Sequence, residues 1–128
     1  MGRRAIFAAT LARGVEIWPR LLAFARRDDL PTETRRGAVF WLGQAAGEKA
    51  TEGLVSVIED EGDLEVREHA VFALSRREEE EAVSALLQIA RTNPEPRLRK
   101  LALFWLGQRA GDDPRVLDLF ESILVGGR

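Results

Sequence analysis

Apolar residues recur along this chain at helical spacing, in two kinds of arc that alternate. Over residues 65–76, Val66, Ala70, Val71, Ala73 and Leu74 fall on one broad arc of a helical wheel. Over residues 80–92, Ala82, Val83, Leu86, Leu87, Ile89 and Ala90 form a second apolar face. The spacing predicts two helices of about three turns each, folded into a hairpin. Such a hairpin cannot bury both faces alone, so the pattern predicts neighbours of the same kind. Residues 31–62 supply one: Arg35, Ala38, Val39, Trp41 and Leu42, then Ala50, Leu54, Val55, Val57 and Ile58. Residues 95–128 supply another: Arg99, Ala102, Leu103, Trp105 and Leu106, then Val116, Leu119, Phe120 and Ile123. A worn copy stands upstream over 4–12 and 17–27, where Leu11, Leu21, Leu22, Phe24 and Ala25 match the later apolar positions.

The repetition extends to letters. VFWLGQ at 39–44, VFALSR at 71–76 and LFWLGQ at 103–108 start 32 residues apart. Each is preceded by an Ala (Ala38, Ala70, Ala102) and, four residues before its start, by an Arg (Arg35, Arg67, Arg99). A fixed period of this length marks a stacked array, in which each unit contacts only its neighbours. The expected organisation is one all-α domain over 1–128, with units at approximately 1–30, 31–62, 63–94 and 95–128. Pro31, Pro94 and Pro96 fall between units, Gly43 and Gly107 are read as ends of first helices, and Asp112-Asp113-Pro114 as a helix start. The acidic run at 78–81 suits the positive end of a helix dipole better than a binding patch.

A first helix reading apolar-Arg-x-x-Ala-x-x-x-Leu-Gly, as at Leu98-Arg99, Ala102, Leu106 and Gly107, followed by a second with paired leucines, resembles the HEAT repeat. The resemblance is closest to the short bacterial kind first described in phycobilin lyases. It implies a right-handed α-solenoid of about four helical hairpins. It also implies a rigid scaffold that holds proteins, with no catalytic residues and no cofactor. Thr34 before Arg35 and Ser75 after Leu74 depart from the pattern. In that family the first-helix Arg meets an acid in the loop of a stacked unit. The resemblance therefore implies a structural ladder of Arg35, Arg67 and Arg99, with contact to a ligand as the alternative. Asp63 and Glu95 stand four residues before Arg67 and Arg99, and Pro31 fills that place before Arg35.

Charge narrows the partners. The 19 basic and 21 acidic residues nearly balance, giving a net charge of −2. Binding a phosphate backbone would call for a basic excess or stripe, so no nucleic-acid partner is expected. There is no Cys and one His, which argues against disulfides and transition-metal sites alike. The apolar stretch after Arg3-Arg4 stops at Arg13 and carries Thr10, too short and mixed for a membrane span. Ile6 stands where myristoylation at Gly2 would want Ser or Thr. No membrane partner is expected; the compartment is left open by the residues, with the cytoplasm favoured.

Two surfaces are candidates for binding a protein of unknown identity. Phe40, Phe72 and Phe104 occupy one position in three successive units, nearly opposite the inner arc. They form either an apolar contact stripe or rings tucked against the next first helix. The outward side of the second helices carries Glu52, Ser56 and Glu59, then Ser84, Gln88 and Arg91. Arg20, Arg26, Arg27 and Asp60 precede or join them, and Asp118 and Glu121 follow. This face suits a polar partner or charged peptide, or is simply solvated. Trp18, Trp41 and Trp105 are read as core fillers.

The apolar Ile123-Leu124-Val125, with no polar capping repeat after it, predicts self-association as a homodimer through that end, or membership of a longer chain. Catalytic readings are weaker. His69 follows Glu68, but a lone imidazole cannot build the His-Glu pairs of a di-iron repeat enzyme. Glu52, Glu59 and Asp60 oppose a DNA-acting concave face. An accessory subunit of a lyase, or a nucleic-acid-acting enzyme on HEAT-like repeats, is the alternative to the scaffold.

Overall fold

Residues 18–45, 48–77 and 80–126 are described by the computed structural model of the protein. The readings placed on residues 1–17 and on Glu78 and Glu79 lie outside them. Seven α-helices account for most of the described residues: α1 (Trp18–Ala25), α2 (Thr32–Gln44), α3 (Glu48–Asp60), α4 (Leu64–Ser75), α5 (Glu80–Thr92), α6 (Pro96–Arg109) and α7 (Pro114–Gly126). None of them is long and apolar enough to cross a membrane.

Short polar side chains start several of these helices. The Asp63 carboxylate accepts from the Glu65 amide, Glu95 from that of Arg97, and Asp113 from that of Arg115. Each satisfies an amide that the first turn leaves without a partner. Pro96 opens α6 and Pro114 opens α7, positions where a missing N–H costs nothing. α2 follows Pro31 without a side-chain cap.

Packing then joins the helices into two layers. α2, α4 and α6 stack in one, while α1, α3 and α5 line the other. Each second-layer helix also packs closely on the first-layer helix that follows it: α1 on α2, α3 on α4, α5 on α6. One apolar core runs the length of the stack, through Leu21, Leu42, Leu54, Ile58, Leu74, Leu98, Leu106 and Val116. The chain is thus an all-α solenoid of helical hairpins, and the inner arc read for residues 65–76 is buried throughout.

Two sequence expectations take a different form. α2 runs through Gly43 to Gln44 and α6 runs through Gly107 to Arg109, so neither glycine ends its helix. Gly43 serves close approach instead: a Cβ there would lie 2.9 Å from the Cβ of Ala73 on α4. Ile123, expected on the inner face of the last hairpin, is 40% exposed. Among the described residues no further helix stands beyond α6 and α7 to cover it. Phe104, Leu117, Ile123, Leu124 and Val125, the large apolar side chains left exposed among those residues, all lie on these two helices.

Candidate functional site

The Phe ladder is uneven. Phe40 and Phe72 are half-buried, whereas Phe104 is 53% exposed. Phe40 meets Trp41 of its own helix edge-on, at 5.0 Å between ring centroids. Phe72 reaches across to α6, where its ring lies 5.2 Å from that of Trp105, and Phe104 meets the same indole at 4.9 Å. Arg76 lies over the Phe72 ring and His69 stands beside it. Burial pushes the His69 imidazole below its ordinary pKa, and the charge of Arg36 adds to this. Phe104 borders an open concavity of about 380 Å³, lined by Glu68, Arg97, Lys100 and Leu101. Arg97 and Glu68 close an ion pair of 2.8 Å across α4 and α6 at this edge.

On the second-helix face much of the polar surface is spent on linking helices. Arg26, just after α1, donates to Ser56 and Asp60 of α3 at 3.2 and 3.4 Å. Arg115 of α7 donates to Glu80 of α5 at 3.1 Å and to Ser84 at 3.4 Å. The bonds from Arg115 and Ser84 hold the Glu80 carboxyl below the usual carboxylate range. Glu52 pairs with Lys49 on its own helix at 3.6 Å, and Gln88 donates to Thr92 at 3.4 Å. Glu59 and Arg91 are exposed. Glu59, Gln88 and Thr92 border a groove of about 230 Å³ between the ends of α3 and α5, with Arg67 among its lining residues.

The three repeated arginines make different bonds. Arg35 is buried and pairs with the buried Glu61, while its other terminal nitrogen donates to Asp63 at 3.0 Å. Arg67 donates through Nε to the carbonyl of Ile58 at 2.6 Å, and Arg99 to that of Asn93 at 2.7 Å. A fourth arginine escaped the sequence reading. Arg77 donates to the carbonyls of Gly43 and Ala45, each at 2.8 Å, and to the Thr51 hydroxyl at 2.6 Å. It thereby satisfies carbonyls that the end of α2 leaves open. The signal that could have found it is Arg109, which repeats it 32 residues on.

Among the described residues no cluster of His, Asp or Glu is arranged to hold a metal ion. The surfaces present an exposed ring in a charged frame at Phe104 and a polar groove between the ends of α3 and α5. The family of HEAT repeats matches residues 18–107. Neither the curated proteins nor the solved structures provide a match.

Proposed function

This chain belongs to the HEAT-repeat family, and from that premise we propose that it is a non-catalytic scaffold that holds a protein partner. HEAT repeats commonly serve as protein-interaction scaffolds, and a stacked array presents its surface on a rigid frame. The observation that carries the reading is Phe104, an aromatic ring 53% exposed in a setting of charged side chains. An apolar centre with a polar rim is the anatomy of protein interfaces, and aromatic rings are frequent anchors in them. Phe72 and Phe40, half-buried on the same repeat position, extend that surface along the first helices. Glu52, Ser56, Glu59, Ser84, Gln88 and Arg91 offer the second, polar surface. Arg35, Arg67 and Arg99 hold the array in shape.

The test is capture of partners from the source lysate by the intact protein and by Phe104→Ser, both shown by circular dichroism to be folded. A protein lost only with the variant supports the scaffold and its contact site. Absence of any stoichiometric partner at both baits overturns it.

Leu124 and Val125 favour a second reading, pairing of two copies of the chain. They are 81% and 73% exposed, with Leu117 and Ile123 on the same helix. Several large apolar side chains exposed on one helix are a feature of contact surfaces. Light scattering on the purified protein tests it: a dimer that Leu124→Glu converts to monomer supports self-association, and a concentration-independent monomer overturns it.

A further inference from the structure

Along the second-helix face, α1 is bonded to α3 through Arg26, and α5 to α7 through Arg115. Between α3 and α5 the structure shows the groove of about 230 Å³ instead. Half-buried Arg67 is one of its walls. The repeat makes its surroundings anomalous. In the preceding unit Arg35 has both terminal nitrogens on carboxylates, those of Glu61 and Asp63. The positions 32 residues on are Asn93 and Glu95. Asn93 is neutral and its side-chain oxygen accepts from the Glu95 amide, while the Glu95 carboxylate accepts from the Arg97 amide. Neither counterpart makes a bond to Arg67. Arg67 bonds through Nε alone, and among the described residues no carboxylate lies within ion-pair distance of it. A half-buried guanidinium has lost part of its hydration, and its fork of N–H donors fits a carboxylate in bidentate fashion.

We propose that the groove between α3 and α5 receives an acidic side chain of a protein partner, whose carboxylate takes at Arg67 the place that Glu61 and Asp63 hold at Arg35. Gln88, Thr92 and Asn93, also among its lining residues, add neutral hydrogen-bonding groups. Glu59 on the opposite rim repels an all-acidic segment and favours an acid flanked by a cation. The charge alternation on the groove thus specifies a mixed-charge segment of the partner. This inference rests on the scaffold reading and names the chemistry of its ligand.

The test follows the Nε–H signal of Arg67 in the intact chain by NMR during titration with two blocked dipeptides, Glu-Lys and Gln-Lys. A saturable shift with Glu-Lys and none with Gln-Lys is the expected result. Asn93→Glu, which installs the acid that Glu61 supplies one unit earlier, is expected to weaken Glu-Lys binding about tenfold or more, since it occupies the charged donors internally. Arg67→Gln, followed through the amides of Gln88 and Thr92, is expected to weaken it similarly. Equal shifts with the two peptides overturn the proposal, as do equal shifts with inorganic phosphate, which would make the groove a general anion site. Should either variant fail to fold, the comparison of the two peptides on the unaltered protein still decides. A partner captured by the intact chain while Arg67 stays silent overturns the groove and leaves the scaffold standing. A response at Arg67 without any captured partner does the reverse.

Discussion

The ring of Phe72 on α4 lies 5.2 Å from that of Trp105 on α6, and this contact divides the three repeated phenylalanines by role. Phe72 is held between two first-layer helices, whereas Phe104 touches the same indole and still leaves 53% of itself exposed. Phe72→Ser is therefore expected to lower stability by about 1–3 kcal/mol, less than a fully buried ring because Phe72 is only half-buried. Phe104→Ser is expected to change it by no more than about 0.5 kcal/mol, as surface substitutions usually do. Urea denaturation of the two variants checks this. The reverse order of effects would make Phe104 a core residue and remove it as a contact.

Gly43 sets the approach of α2 to α4. A methyl group there would sit 2.9 Å from the Ala73 Cβ, closer than such carbons pack. Alanine is the better helix former by about 1 kcal/mol, so propensity alone predicts that Gly43→Ala stabilises. The clash predicts the opposite, a net loss of roughly 1–3 kcal/mol, as for overpacking in other cores. Ala73→Gly in the same chain should recover part of that loss. A double-mutant cycle on thermal melting measures the coupling, and additive effects would show that the helices simply slide apart.

Much of the fold was legible because the repeat presents the same apolar arcs several times. Leu42, Leu74 and Leu106 are buried alike, and so are Ala38, Ala70 and Ala102. Surface pairings were less legible, because a wheel gives direction along one helix and says nothing of what stands opposite. Arg26 with Asp60, and Arg115 with Glu80, look like solvated charges until α1 is set beside α3 and α5 beside α7. The same limit applies to Phe40, Phe72 and Phe104: the first two are half-buried with a further first-layer helix packed beside theirs, while among the described residues none follows α6 to cover Phe104. Gly107 was read as a helix end by its type, yet the ring of Phe120 lies over it within the last hairpin.

Arg35 and Glu61 form a buried pair whose members depend on each other. Removing one leaves the other's charge in the interior without its partner, at a cost of about 3–5 kcal/mol. Arg35→Met alone is expected to be this damaging. Arg35→Met with Glu61→Leu is expected to be milder than the single change, since apolar replacements avoid the desolvation of both ions. Chemical denaturation of the two proteins decides. A double variant as unstable as the single one would show that the pair's bonds, Asp63 included, contribute more than the burial of its charges costs.

Asp63 carries a pH signature of its own. Thr32 donates to its carboxylate at 2.6 Å, and that bond is the main cause holding the group below its ordinary value. Burial opposes it, and the amides of Glu65 and Val66 and the charge of Arg35 add smaller effects in the same direction as Thr32. A carboxyl with a depressed folded pKa stabilises the fold fully above its unfolded value, about pH 3.9 for Asp, and loses that contribution as pH falls through the folded value. Thr32→Val removes the hydroxyl and keeps the shape. The protein is therefore expected to exceed the variant in stability at neutral pH, with the gap narrowing below about pH 4 as Asp63 takes up its proton. Urea midpoints recorded from neutral pH down to about pH 2 test this across the window in which a carboxyl titrates. A gap that stays constant over the whole range would mean that Thr32 acts through packing and leaves the Asp63 charge unaffected.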